Sequence, residues 1–164
     1  MSDSFPTPRS ARLDDLDAML TIERASFLDP WSKASLKEEI ESDSPPLVIE
    51  LDDKVVAYLC DWVVLDERHI TNLAVHPDYR RQGLGRNLLV ATIALARSSG
   101  CQRLLLEVRP SNVTALRLYL GLGFVELYRR RGYYIKPSED GLVMVLELRE
   151  PHPQSTRSED REDN

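Results

Sequence analysis

Asn72 to Val90 reads NLAVHPDYRRQGLGRNLLV, and the rest of the chain is organised around this stretch. Leu73-Ala74-Val75 closes an apolar strand, His76-Pro77-Asp78 turns, and Arg80-Arg81-Gln82-Gly83-Leu84-Gly85 leads into an apolar helical pattern. Strand, glycine-containing loop and helix start together predict a backbone anion site. The first N–H groups of a helix lack intrahelical partners and lie at the positive end of the helix dipole. Gly83 and Gly85 let a phosphate approach the backbone, and Arg81 and Arg86 add forked charged donors. A nucleoside-triphosphate loop is excluded, because the lysine and Ser/Thr of G-x-x-x-x-G-K-[ST] are missing. A dinucleotide fingerprint is excluded too: Arg86, Asn87 and Leu88 follow Gly85, so the third glycine is absent.

A length of 164 residues suits one domain, and 42% hydrophobic with 29% charged residues is ordinary for a globular protein. Residues 1–8 are expected to be a flexible N-terminus; an acid and prolines replace the basic-then-apolar pattern of a leader. No run of apolar residues is long enough for a membrane helix. Cys60 and Cys101 show no metal-ligand spacing, so they are expected to be core thiols of a cytoplasmic protein, with no metal. Of the net charge of −6, half sits in Glu150 to Asn164. The remaining mildly acidic body argues against nonspecific nucleic-acid binding and suits a basic peptide partner. Residues 151–164 are expected to be a disordered polar tail.

Periodicity sets out the elements of a domain over residues 9–150. Arg9 to Leu13 is strand-like; Asp14 then caps a helix with the stripe Leu16, Met19, Leu20, Phe27. Ser32 is the N-cap of a second helix, with Trp31 and Leu36 placed as a hydrophobic staple and Pro45-Pro46 as its stop. Leu47–Leu51 and Val55–Val64 form a hairpin around Asp52-Asp53-Lys54, and Arg68–Val75 is the next strand. The central helix, Leu84 to Ser99, is expected to bury Leu84, Leu88, Ala91 and Leu95 and to end at Gly100. Leu104–Val108 reads as a buried, parallel strand. Ser111 or Asn112 caps a helix to about Leu122, with Gly123 at its end. Phe124–Tyr128, Tyr133–Lys136 and Leu142–Leu148 are the last strands, the first two separated by a kink at Arg129 to Gly132. The order is βααββ, then β-loop-α, then βαββ: a mixed α/β sheet with helices on both faces.

The R-x-x-G-x-G loop after a strand resembles the acetyl-CoA loop of the Gcn5-related N-acetyltransferases. A second motif, LEVRPSNVTALRLYLGLGF from Leu106 to Phe124, is similar to the strand-and-helix segment that follows it in that superfamily. Phe27-Leu28-Asp29-Pro30-Trp31-Ser32 and Arg131-Gly132-Tyr133-Tyr134 resemble, within it, the RimI family of ribosomal-protein-alanine N-acetyltransferases. The likeness runs from about Arg9 to Glu150. Pro110 departs from the pattern, in which a small residue follows the arginine; it precedes the helix cap and is tolerated there.

The resemblance implies a reaction: direct transfer of acetyl from acetyl-CoA to the N-terminal alanine amine of small-subunit ribosomal protein number eighteen, within a ternary complex. It implies that Glu107 is the base and that Tyr119 protonates the CoA sulfur. Leu73, Ala74, Val75, Arg81, Gln82, Gly83, Leu84, Gly85, Arg86, Asn112 and Tyr119 would bind the cofactor, and Phe27, Trp31 and Tyr134 the acceptor. Read without the family, Glu107 is a structural ion pair, Tyr119 a core tyrosine and Asn112 a helix cap. Glu23, His69 and Arg129–Arg131 read as surface or core residues, while Asp61 and Glu67 lie near the open side of the sheet. A protein α-amine has a pKa near ~8, so a modest base suffices for an N-terminal acceptor. Other N-termini, a lysine or a small amine remain as alternative acceptors, and an acyl-CoA-responsive interaction module as a non-enzymatic one. No membrane or direct nucleic-acid partner is expected, and the protein should be a monomer or weak dimer.

Overall fold

A computed structural model describes residues 5–149; the tail expected to be disordered, 151–164, lies outside the described residues. One seven-stranded sheet carries the molecule: β1 (Arg9–Ser10), β2 (Leu47–Leu51), β3 (Lys54–Val64), β4 (Glu67–Val75), β5 (Arg103–Val108), β6 (Val125–Ile135) and β7 (Ser138–Glu147). Its spatial order is β1-β2-β3-β4-β5-β7-β6. Among the described residues, only β4 and β5 pair in parallel, and the helix between them supplies the crossover that a parallel pair needs. The helices are α1 (Leu16–Ser26), α2 (Lys33–Ile40), α3 (Leu84–Ser98) and α4 (Val113–Gly121). This is the mixed sheet with helices on both faces that the sequence predicts.

Side-chain alternation along the strands divides the core. Val48, Tyr58, Cys60 and Ala74 face α1 and α2. Ile49, Leu59, Leu104 and Leu106 face α3 and α4. Both cysteines are free and buried. The β2–β3 turn is left-handed at Asp52 and Asp53 (φ 51° and 61°), the conformation of a tight two-residue hairpin turn that Asp tolerates. Ser32 caps α2 as expected, its Oγ accepting from the Ser35 N–H at 3.1 Å, with Trp31 and Leu36 both in the apolar cluster beneath.

Several expectations are corrected. β1 stops at Ser10, and a short 3-10 turn over Leu13–Asp15 precedes α1. Asp14 is not the cap. The Asp15 carboxylate accepts the Arg12 N–H at 2.7 Å and two Arg9 N–H groups at 2.8 and 2.9 Å. Phe27 lies past the end of α1, in extended backbone. On α3 the buried stripe is Leu84, Leu88, Leu89, Thr92 and Ala96, while Leu95 is 43% exposed. Thr92 is tolerated there because its hydroxyl donates to the Leu88 carbonyl at 2.8 Å. β6 is one long strand, its register with β7 shifting between Arg130 and Tyr134 where a break was expected. β7 begins at Ser138, four residues ahead of its apolar run.

Arg9 holds the Asp15 carboxyl below its ordinary range, mainly through these hydrogen bonds. The stabilisation is therefore complete at neutral pH and is lost as pH falls through the lowered folded value. Asp15→Ala should cost about 1–3 kcal/mol at pH 7, because the Arg12 N–H loses its acceptor. Urea unfolding of both proteins at pH 7 and pH 3 checks this: the difference should shrink in acid.

Candidate active site

The site begins with a one-residue irregularity. Cys60 pairs with Asn72 and Asp61 with Ile70, so Thr71 is an extra residue on β4. A bulge of this kind bends its strand and increases the local twist. At the same point β4 leaves β5: pairing runs from Glu67/Arg103 to Ile70/Leu106 and stops there. Beyond it, β4 continues to Val75 against β3 alone, and β5 continues through Glu107 and Val108 against β7 alone. The two central strands thus open into a V. The His76 N–H donates to the Val56 carbonyl at 2.7 Å, while the Val75 carbonyl accepts from Arg80 Nε at 3.1 Å. Successive strand amides alternate in direction, so those of Val75 and Leu73 aim away from β3, into the opening.

A cleft of about 870 Å³ occupies the V. Leu73, Glu107, Asn112 and Tyr119 line it, as do Phe27, Trp31 and Tyr134, so all three expected acceptor residues and both expected catalytic residues meet there. Ala74, Val75 and the Arg81–Arg86 run are not on its wall. Ala74 is buried toward α1 and α2, and the run forms the end of the loop after β4 and the first turn of α3.

Two residues of that loop are left-handed, Arg81 (φ 64°) and Gly83 (φ 78°). The arginine bears a steric cost of roughly 1–2 kcal/mol there. Arg80 anchors the loop, reaching Ser26 Oγ at 3.2 Å as well as the Val75 carbonyl. Gly83 is the N-cap of α3 and offers no side chain to it, so the first N–H groups of the helix are left to a ligand or water. Arg81 and Arg86 are exposed beside them. The residues present therefore fit a pyrophosphate. Leu84 points its side chain into the core, leaving only its N–H to contribute. A Cβ on Gly85 would lie in ordinary contact with Leu118 and Val75. Phe5 lies 3.4 Å from a Cβ built on Gly83, and Asn87 Nδ2 donates to the Pro6 carbonyl at 2.7 Å. Part of the segment expected to be flexible is thus seated on this loop.

Glu107 was expected inside an apolar strand run. Its side chain is instead 31% exposed, because the splay removes the neighbour that would have covered it. It stands 3.5 Å from Arg130 Nη1 on β6. The neighbouring Glu107 carboxylate pushes the Tyr133 pKa up. Tyr119 is 7% exposed, and burial pushes its pKa up to about 12. It therefore remains a proton donor throughout the neutral range. Asn112 caps α4, its Oδ1 accepting from the Ala115 N–H at 3.2 Å.

Functional candidates that the sequence reading passed over complete the cleft. Arg109 donates to the carbonyls of Pro137 (2.7 Å) and Lys136 (3.0 Å) and lies 4.0 Å from the Tyr134 ring centroid. Glu139 accepts from the Ser111 N–H at 2.6 Å and from its hydroxyl at 2.8 Å. Together they fasten the β6–β7 hairpin, with Tyr134, over the end of β5. Glu23, at 1% exposure, lies beneath the opposite wall. Asp61 is paired with Arg68 at 2.7 Å, and neither it nor Glu67 is on the cleft wall. Among the described residues, no cluster of His, Cys, Asp or Glu could hold a metal ion, and no helix is long and apolar enough to cross a membrane.

Comparison with known proteins agrees with this geometry. The sequence profile of the Acetyltransferase (GNAT) family matches residues 16–124. The [ribosomal protein bS18]-alanine N-acetyltransferase of Escherichia coli K12 is 38% identical over 144 residues, covering 87% of this chain and 97% of that protein. The crystal structure of the E. coli ribosomal-protein-S18-alanine N-acetyltransferase superposes with a TM-score of 0.82 at 36% identity, over 92% of this chain and 98% of the other. The yncA protein of Salmonella typhimurium, solved with its cofactor acetyl-CoA, shares the fold: TM-score 0.78, 24% identity, 93% of this chain and 99% of that one. The chain belongs to the GNAT acetyltransferase family.

Arg109→Ala should loosen the hairpin without unfolding the domain. Losing ~1.5 kcal/mol of charge-assisted hydrogen bonding corresponds to about tenfold faster amide exchange. Hydrogen-exchange mass spectrometry over Tyr134–Glu139 reads this directly, with β4 as the unchanged reference.

Proposed function

We propose that this protein transfers acetyl from acetyl-CoA to the N-terminal alanine amine of ribosomal protein bS18, in the cytoplasm, by direct attack within a ternary complex. The observation that carries the reading is the V-shaped cleft: unpaired β4 amides on one arm, Glu107 on the other, and Tyr119, from α4, on its wall. The likeness to bS18-alanine acetyltransferases over most of the chain supports the choice of acceptor.

Acetyl-CoA supplies an activated acyl group with a thiolate leaving group. The chain's own residues do the rest. Arg81, Gln82, Gly83, Gly85 and Arg86 hold the pyrophosphate through N–H groups and guanidinium charge. The Leu73 and Val75 N–H groups bind along the open edge of β4, where one preorganised donor to a developing oxyanion is worth about 2.7–4 kcal/mol. Phe27, Trp31 and Tyr134 clasp the first residues of the acceptor from both walls. Glu107, directly or through one water, takes the proton from the ammonium. A carboxylate is sufficient because an α-amine is already partly neutral near pH 7. Tyr119 Oη returns a proton to the departing sulfur. Asn112 joins the pantetheine side while capping α4.

Glu107→Gln should lower kcat by about 10²-fold or more while acetyl-CoA affinity stays within about twofold. Calorimetry and steady-state kinetics separate the two; full turnover would remove Glu107 as base. Tyr119→Phe should lower kcat similarly, and the wild-type rate should show no acid-group loss below about pH 10. Intact-mass spectrometry over a peptide panel tests the acceptor. The alanine-starting bS18 peptide should gain one acetyl group, ahead of serine- or methionine-starting versions and of a peptide whose only amine is a lysine. Equal acetylation of the lysine peptide would discard the acceptor and keep the chemistry.

A further inference from the structure

One buried carboxylate has no part in the transfer just described. Glu23, in the last turn of α1, is 1% exposed. Its Oε1 accepts the Trp31 N–H at 2.9 Å. Its Oε2 accepts the Tyr58 hydroxyl and Asn72 Nδ2, the latter at 2.6 Å. Asn72 Nδ2 also lies 3.3 Å from the Tyr58 hydroxyl. These donors come from three places: the acceptor loop between α1 and α2, the middle of β3, and the open stretch of β4.

A buried carboxylate is a costly way to pack a helix, and an apolar residue of similar volume is commonly as stable or more so. What an apolar residue cannot do is tie two separate segments to each other through directed bonds. Trp31 is the expected acceptor residue of one wall, and Asn72 belongs to the strand whose freed amides form the other side of the cleft. The bulge at Thr71 makes the connection possible. Were Thr71 paired in regular register, alternation would turn Asn72 to the same face as Ile70, toward α3; with Thr71 bulged out, Asn72 faces α1. Tyr58, fully buried, keeps its hydroxyl protonated because burial and the Glu23 hydrogen bond push its pKa up, so it remains a donor.

We propose that Glu23 is a positioning residue for the acceptor, holding the Phe27–Trp31 loop at a set distance from the open edge of β4 through the Trp31 amide and Asn72. It touches no reacting atom; it acts through the wall it holds. The proposal rests on the acetyl-transfer reading. A wall displaced by a fraction of an ångström weakens acceptor alignment; the cofactor loop meets α1 through the exposed Arg80–Ser26 contact and owes its anion site to the start of α3.

The test uses the full chain, acetyl-CoA and the alanine-starting peptide. Glu23→Gln puts an amide nitrogen where one arm of the network needs an acceptor. The peptide KM should rise about tenfold, with kcat falling less and acetyl-CoA Kd within about twofold of wild type. Tyr58→Phe removes one donor while leaving the loop and cleft intact, and should raise the same KM by a smaller factor. The double variant should do less than the product of the two, as coupled residues do. An unchanged peptide KM in Glu23→Gln overturns the proposal, as does a KM and an acetyl-CoA Kd that rise together with a falling Tm, the signature of packing alone. If Glu23→Gln does not fold, an unchanged peptide KM in Tyr58→Phe overturns it. A wild-type protein that acetylates no peptide removes the acetyl-transfer reading itself and this proposal with it.

Discussion

The functional part of this molecule depends on the failure of two neighbouring strands to stay paired. A parallel pair leaves no room between its strands, and its amides are spent on one another. In this sheet the pair is kept for only four rungs, from Glu67/Arg103 to Ile70/Leu106. Thr71, one residue too many on β4, bends the strand at the next position. Each arm of the resulting V keeps its outer partner, so the opening exposes backbone groups on the inside without loosening the sheet. Cleft, free amides and the accessible carboxylate of Glu107 are three results of the same bend.

Opening a sheet leaves loops and hairpins that must be fastened, and the fastening is polar. Arg109, Ser111 and Glu139 tie the β6–β7 hairpin to the end of β5. Arg80 ties the loop before α3 to the last turn of α1, and Glu23 ties the Trp31 loop to β4. These polar links lie around the cleft, whereas the space between sheet and helices is filled by apolar packing. This division follows from what each force can do. Hydrophobic burial is non-directional and fills volume; charged hydrogen bonds fix one group against another in a particular orientation.

Fold order was legible in the sequence because the chain states it through periodicity and punctuation. Asp52-Asp53, Ser32, Asn112 and the glycines after α3 and α4 each mark a boundary that the structure keeps. The turn and helix start after β4, and the strand and helix that carry Glu107 and Tyr119, were legible for the same reason, being local strings. The bulge was not, since nothing in Ile70-Thr71-Asn72 distinguishes an extra residue from a regular one. Register is a property of two strands. Contacts between distant segments were equally hidden: Arg109 meets Lys136 and Pro137, and Glu23 meets Asn72. Glu23 nevertheless left a trace. It falls on the stripe of Leu16, Met19 and Leu20, where an acid on the buried face of a helix asks for partners. Leu95 was misassigned because apolar periodicity alone does not distinguish a helix flank that the sheet covers from one that it leaves in water.

The run Arg129-Arg130-Arg131 has a meaning that its position alone supplies. β6 ends the sheet's spatial order, and ten of its eleven residues are exposed. An edge of that length offers unpaired amides to any strand that arrives, including the same strand of another molecule. Three adjacent guanidinium groups and a register shift beginning at Arg130 spoil that invitation, since two such edges would bring like charges face to face. Charge along the bare edge thus works against a pairing that its exposed amides would otherwise favour.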